Sequence, residues 1–368
     1  MTTKRIRRQH VVSKFYLKGF ANEMGQLRRV FLPGDRSHLI ATSDATVIKD
    51  FYTVTLPDGT ESDMFERAFG EIETPAAEAL RLLLDRTWPL QGELRAALSS
   101  WIALQHLRGE NVRAGGDQQK ALIIRLIVGV SGKQALREII ERAEHRSVTD
   151  SELDWEWRDI TKPGGPDFKS DAKGHLHLVT RLHDGMSRYL HDSQWTIFRF
   201  NRRHLLTTDH PVAMATRPDY PEHQGVGIFT ADAFLTPLSR YAALMIKPRH
   251  KLSIQDAFVP DFEQAGTTKY ARWINQELVI HAKRHIYMHP EDSLTDGLHL
   301  PQPDRPNMPE DTGGDLIREE GLFYGVSREQ RAAMAKAMPR DRNRDGMSIR
   351  DLEWPIPGRV TPGRPTSW

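Results

Sequence analysis

Four side chains in this sequence have the types that metal-assisted hydrolysis needs: one imidazole and three carboxylates. Glu66 and Glu73 are seven residues apart. On one straight helix that spacing sets both carboxylates on the same side, two turns apart. They flank an apolar stripe of Phe65, Phe69 and Ile72, so they stand at the edge of a buried face. Gln105 and Arg108 are neighbours on a second helix, and Arg108 can pair with either glutamate. Asp209 follows a strand, in the turn Thr208-Asp209-His210-Pro211, where a side chain is aimed rather than packed. His10 supplies the imidazole. Carboxylates with one imidazole suit Mg²⁺, Mn²⁺ or Fe²⁺ better than soft metals. A metal on His10, Glu66, Glu73 and Asp209 could activate water against a phosphodiester, with His10 as ligand or general base. Gln105 and Arg108 would orient or bind an anionic group. The basic arm of Lys4, Arg5, Arg7 and Arg8 would hold phosphate. The same residues also fit a structural reading, in which the two glutamates form buried salt bridges with Arg108 and Asp209 caps its own turn.

Two further constellations carry less. Glu277, His281 and His285 fall on one helical face at i, i+4 and i+8, but Ala282 stands where a zinc protease needs its glutamate, and a solvated face explains the spacing. In the tail, Asp341, Asn343, Asp345 and Gly346 match the first half of a Ca²⁺ loop. The second half is out of step, with Leu352 at the bidentate position and Glu353 one residue late, so a polar turn is the simpler expectation. There is no Gly-x-x-x-x-Gly-Lys, no Gly-x-Gly-x-x-Gly after a strand and no Gly-x-Ser-x-Gly elbow, which argues against common nucleotide-cofactor enzymes and serine hydrolases. Nor is there a helix-turn-helix or zinc-finger pattern.

The elements that must position these residues divide the chain. Leu27–Leu32 reads as a strand ended by Pro33-Gly34-Asp35, and Val47–Thr55 as a small hairpin or edge structure closed by Pro57-Asp58-Gly59-Thr60. A helix starts at Ser62-Asp63 and reaches Pro75, where it either kinks or gives way to a second helix capped by Thr74. Helices are predicted over Glu93–Arg108, over Gln118–Arg146 after a break at Gly115-Gly116-Asp117, and over Gly174–His191. Gln194–Phe200 and Leu205–Thr208 form a predicted hairpin around Asn201-Arg202-Arg203-His204. Ala242–Ile246 is another strand, and a last helix runs from about Thr267 to Tyr287. The expected fold class is α+β, with a helical bundle in the first half and a small antiparallel sheet plus helix in the second.

The chain has 368 residues, no cysteine and a net charge of +2. Disulfides, thiolate metal sites and cysteine nucleophiles are excluded, and a cytoplasmic protein is expected. The longest apolar run, Ala121–Val130 around Arg125, is too short and too charged to span a bilayer. The expected organisation is a main domain over 1–289, a Pro/Gly-rich linker over 290–314, and a short helix with an extended tail over 315–368.

The opening segment carries a resemblance. His10-Val11-Val12-Ser13-Lys14-Phe15-Tyr16-Leu17-Lys18-Gly19-Phe20 resembles the His-x-Val-Pro-x-Phe-Tyr-Leu-x-x-Phe pattern that opens an uncharacterised bacterial and fungal family of unknown function. Ser13 replaces the usual proline, which predicts a looser turn after the histidine. Further pieces follow in order: Phe65-Glu66, Ile72-Glu73, Gln105-His106-Leu107-Arg108, Thr208-Asp209-His210-Pro211 and Asn275. The resemblance covers roughly residues 8 to 290 and implies a fold without an activity. The residues themselves lead to a metal-dependent, nuclease-like phosphodiester hydrolase, in a toxin or defence role. The alternative is a non-enzymatic module binding nucleic acid or protein, in which the polar cluster is structural.

Overall fold

The fold is that of a computed structural model, which describes residues 5–169, 171–221, 225–256, 258–306, 312–322, 327, 330 and 349–361. The chain forms two compact units, one of residues 1–113 with 172–305, the other of residues 114–171 with 306–368. The fold is α+β, with helices concentrated in the first half of the chain.

In the larger unit the helix Gly92–Leu107 packs against Met64–Leu84 on one side and Ala172–Asp192 on another. Every residue from Trp101 to Leu107 is buried, the pattern of a helix surrounded by protein. Met64–Leu84 runs unbroken through Pro75, so the alternative of a second helix capped by Thr74 is not realised. Pro75 lies on the exposed face, and Thr74 Oγ1 donates to the Gly70 carbonyl instead. A five-stranded sheet runs in the order Phe262–Ala265, Gln194–Arg199, Ala242–Lys247, Ala233–Ser239, Ala213–Ala215. All pairings are antiparallel except that of Phe262–Ala265 with Gln194–Arg199. Gln194–Phe198 is buried at every position, as expected of an inner strand covered on both faces.

A four-stranded antiparallel sheet has the order Arg36–Ala41, Gln26–Phe31, His285–Met288, Thr207–Thr208. Its inner pair joins residues about 260 positions apart in sequence, with Ile286 opposite Val30. Two short ribbons complete the unit. Arg8–His10 pairs with Val47–Lys49, and Val54–Thr55 with Glu61–Ser62 across the Pro57-Asp58-Gly59 turn.

Two expectations are corrected here. The segments around Asn201-Arg202-Arg203-His204 are not paired as a hairpin. Gln194–Arg199 pairs with Ala242–Lys247, whereas Thr207–Thr208 joins the other sheet. The connecting backbone is held by Tyr241 and Arg240 carbonyls, which accept from Phe200 and Leu205. The last helix ends at His281, and His285–Met288 is a strand. His285 therefore never shares a helical face with Glu277 and His281. The β-branched and aromatic residues Ile286 and Tyr287 favour a strand once a sheet edge is there to receive them.

The smaller unit is built on Glu110–Ser131, Lys133–Glu144 and Asp150–Thr161, the first of which begins in the larger unit. The helix passes through Gly115-Gly116, where a break was predicted, and breaks at Gly132, inside the stretch predicted to be continuous. Gly132 has φ +89, and a Cβ there would lie 2.6 Å from the Gly321 nitrogen, so close backbone approach explains this glycine. Asp150–Thr161 is closed by a capping box between Thr149 and Glu152. The core holds Val128, Leu136, Ile140, Leu153, Trp157 and Ile160 together with Ile356, and Trp354 packs against it. The described part of the tail is thus not free of burial. The Arg359 side chain, 3% exposed, donates to Asp159 Oδ2 at 2.6 and 3.1 Å, and its Nη1 lies 2.7 Å from Glu156 Oε2. The tail's Ca²⁺ loop candidates, Asp341, Asn343 and Asp345, lie outside the described residues, as does nearly all of the helix expected over Ser327–Met338.

Arg359→Ala takes a buried cation away from Glu156 and Asp159, of which Asp159 keeps Lys162 at 3.0 Å, at a cost of about 3–5 kcal/mol. Urea denaturation of the full chain should register this as a loss in the transition that reports on Trp157 and Trp354, whereas an unchanged midpoint would show that the tail contributes nothing.

Candidate functional site

The opening segment is built as aromatic core followed by polar contacts. Tyr16, Leu17 and Phe20 are fully buried. Trp101 packs against Phe15 and Tyr16 at ring separations of 5.4 and 5.3 Å, and Tyr16 OH shares a 2.7 Å hydrogen bond with Thr207 Oγ1. These contacts bring residues 10–13 against the helices Met64–Leu84 and Gly92–Leu107.

Arg108, at the C-terminal end of the second helix, is 1% exposed, and each of its side-chain nitrogens has a partner. Nε donates to the Val11 carbonyl at 3.0 Å. Nη2 donates to Ser13 Oγ at 2.8 Å and Gln105 Oε1 at 3.1 Å. Nη1 lies 2.8 Å from Glu73 Oε1. Gln105 Nε2 donates to the same Val11 carbonyl at 2.8 Å, and its Oε1 accepts from Ser13 N at 3.2 Å. Ser13 Oγ accepts from Trp101 Nε1 at 2.8 Å as well. With two donors on it, the hydroxyl has one proton to give, and Glu73 Oε1 at 2.8 Å is nearer than Gln105 Oε1 at 3.1 Å. Tyr52 OH closes the network on the Arg108 carbonyl at 3.1 Å.

Ser13 corrects the expectation of a loosened turn. Its φ is −55, within the range that a proline ring imposes, and it is fully buried. The turn keeps its shape because the hydroxyl and the backbone N–H are pinned by Trp101, Arg108, Glu73 and Gln105. Ser13 and Trp101 are the residues that sequence reasoning missed. The visible signal was the polar substitution itself, inside an otherwise apolar run. Gln105 and Arg108 spend their side-chain groups on Val11, Ser13, Glu73 and each other, so burial and pairing turn both of them inward.

His10 and Glu66 lie at the edge of this network. The His10 backbone N–H faces the Glu66 carboxylate, whose Oε2 is buried with no hydrogen-bond partner among the described residues. Burial is the main cause that pushes Glu66 up to about 7, with Glu73 adding to it and Arg108 opposing. The His10 ring faces the Ser43 backbone, and its Nε2 is a second buried atom with no hydrogen-bond partner among the described residues. Burial lowers the His10 pKa, Glu73 raises it, and Arg108 and Lys14 lower it further. Neutral imidazole and half-ionised carboxyl thus coexist near pH 7. Glu73, its side chain 27% exposed, connects the cluster to solvent.

Asp209 is not brought to this cluster. Its carboxylate accepts the backbone N–H groups of Lys283 at 2.9 Å, Arg284 at 2.7 Å and His285 at 2.9 Å. Burial raises its pKa to about 6, against the opposing effect of those three bonds. It caps the entry to the strand His285–Met288 rather than its own turn. Among the described residues no group of three or more His, Asp or Glu side chains is arranged to hold a metal ion. The arm is also placed. Arg5 pairs with Glu61 and Asp50, Arg7 with Asp50 at 2.9 Å and Arg8 with Asp44, so each of these charges is answered by a carboxylate. Lys4 lies outside the described residues.

Residues 8–292 match the model of a family described as "Protein of unknown function (DUF4238)". No curated protein and no solved structure matches the chain. No helix among the described residues is long and apolar enough to cross a membrane.

Two outcomes follow from this geometry. Ser13→Ala strands Trp101 Nε1 and weakens the hold on Arg108, at a cost of about 2–4 kcal/mol in chemical denaturation; a change within about 0.5 kcal/mol would deny the hydroxyl its structural part. Glu66, with a folded pKa above its unfolded value of 4.5, adds stability that is complete below that value and lost as pH rises through about 7. The stability of Glu66→Gln relative to the wild type should therefore increase between pH 5 and pH 8, in about the range that separates the two pKa values; a flat difference would mean that Glu66 is ionised throughout.

Proposed function

We propose, for a chain that belongs to the DUF4238 family of proteins of unknown function, that His10 and Glu66 are the acid–base pair of a hydrolytic centre acting on phosphodiesters. The observation that carries this reading is the contrast within one cluster. Ser13, Trp101, Gln105 and Arg108 have paired side chains, whereas His10 Nε2 and Glu66 Oε2, also buried, have no hydrogen-bond partner among the described residues. A buried polar atom without a partner carries a desolvation cost, and a site that binds a substrate there recovers it.

The roles follow from protonation. In the tautomer that carries its proton on Nδ1, neutral His10 can accept a proton from an attacking water at Nε2. Glu66, titrating near 7, can return a proton to the leaving oxygen. Arg108 and Ser13 act as positioning residues: they fix Val11 and Glu73 and so hold His10 in place. An anionic substrate is favoured by Lys14, an exposed ammonium close enough to lower the His10 pKa and without an ion-pair partner among the described residues. Hydrolysis assisted by Mg²⁺, Mn²⁺ or Fe²⁺ is a variant of the same proposal. His10, Glu66 and Glu73 would then be the ligands, Asp209 would take no part, and Glu73 would have to leave Arg108.

The second reading is a non-enzymatic module that binds nucleic acid or protein. The complete pairing of Arg108, Gln105 and Ser13 favours it, because a structural network would be satisfied in the same way.

The two readings part on one experiment. The full chain, Glu66→Gln and His10→Asn are incubated with RNA, with single- and double-stranded DNA and with an aryl phosphodiester, in Mg²⁺, in Mn²⁺ and in EDTA. Cleavage by the wild type that falls about 100-fold or more in each variant, with unchanged denaturation midpoints, is the expected result. Absence of cleavage under every condition, or equal rates in all three proteins, would leave the binding module.

A further inference from the structure

A second polar constellation lies away from the helices, at the turn Asn201-Arg202-Arg203-His204. His204 Nδ1 is 2.7 Å from Asp292 Oδ1. Asp292 is nearly buried, its side chain 5% exposed, and Arg240 donates to both of its oxygens, through Nε to Oδ2 at 3.0 Å and through Nη2 to Oδ1 at 2.7 Å. The imidazole meets the ring of Tyr241 edge-on at 5.1 Å. Its backbone is fixed from both sides. Asn275, also nearly buried, donates to the His204 carbonyl and accepts from Leu206 N, and Arg240 O accepts from Leu205 N. The His204 side chain is nevertheless 29% exposed, and Nε2 makes no hydrogen bond among the described residues.

The charges around it are lopsided. Asp292 is neutralised by Arg240. Arg202 and Arg203 are exposed, and neither has a carboxylate partner among the described residues, Arg203 bonding only Thr268 Oγ1. Glu291, exposed beside His289, is the other carboxylate that acts on Arg240. A histidine whose Nδ1 is held by a carboxylate presents Nε2 in a fixed direction. Two unpaired guanidinium groups on the same turn suit the planar, multivalent oxygens of phosphate.

We propose that this turn is a phosphate-binding site, in which His204 Nε2, oriented by Asp292 and Arg240, bonds a phosphate group that Arg202 and Arg203 also hold. The phosphate is either free or carried as a monoester, and exposed Tyr241 offers a ring surface to an aromatic ester. This site stands independently of the His10–Glu66 cluster.

The test uses the full chain labelled with ¹⁵N, the His204 ring signals being assigned by their loss in His204→Gln. Inorganic phosphate and adenosine monophosphate are then titrated separately at constant ionic strength, with chloride as the control. The expected result is a saturable shift of the His204 Nε2 signal with one or both phosphates, weakened about tenfold in the surface variant Arg202→Gln/Arg203→Gln. Tighter binding of the nucleotide identifies the monoester, and equal binding identifies free phosphate. A His204 signal that neither phosphate moves, that chloride moves equally, or that shifts unchanged in the double variant would overturn the site.

Discussion

A guanidinium group taken out of water must be paired, and Arg108 is as buried as any leucine around it. The desolvation penalty is several kcal/mol, so no arrangement of the first hundred residues is stable unless it brings acceptors to that point. The acceptors come from separate places: Val11 and Ser13 from the opening segment, Glu73 from one helix, Gln105 from another. The aromatic run Phe15–Phe20 supplies the burial that drives docking, but burial alone is tolerant of small slips. The Arg108 contacts are directional and fix which residue of the segment lies against which turn of helix. His10 takes its position from that choice, three residues before the serine that the network holds.

Under the function proposed above, the structural and functional readings of the polar cluster occupy different layers of it. The inner layer is paired and holds the segment to the helices. The outer layer, His10 and Glu66, keeps polar atoms without partners among the described residues. Partition of this kind is what a preorganised site requires, since reacting groups hold their geometry only when the residues behind them cannot move. It also explains why Arg108 and Gln105 are poor candidates for direct contact with a substrate even though they sit in the densest part of the cluster.

Much of this was readable from residue spacing. Glu66 and Glu73 do share one helix, Arg108 does pair with Glu73, and the α+β division follows the shift from helical to alternating periodicity. The failures share a cause, which is that the deciding partner lies far along the chain. Asp209 looked like a free ligand because the strand at His285–Met288 was read as the end of a helix, and without that strand its three N–H donors are invisible. The turn at His204 looked like a hairpin because both flanks suit a strand, yet the pairing partners are residues 242–247 and 285–288. Gly132 and Gly115 carry the same letter in the sequence. What separates them is the backbone of Gly321, nearly two hundred residues on.

The pairing of Gln26–Phe31 with His285–Met288 has a consequence for how the protein is made. A ribosome delivers the first strand long before its neighbour. At about 5–20 residues per second, the wait is on the order of 10–50 s. During that interval Gln26–Phe31 can pair with Arg36–Ala41 on one edge, while the other stays open. Residues 114–171, which belong to the other unit, are synthesised in between. The nascent chain must therefore carry an unfinished sheet past a second folding unit, a state in which an unpaired strand edge is exposed to neighbouring chains.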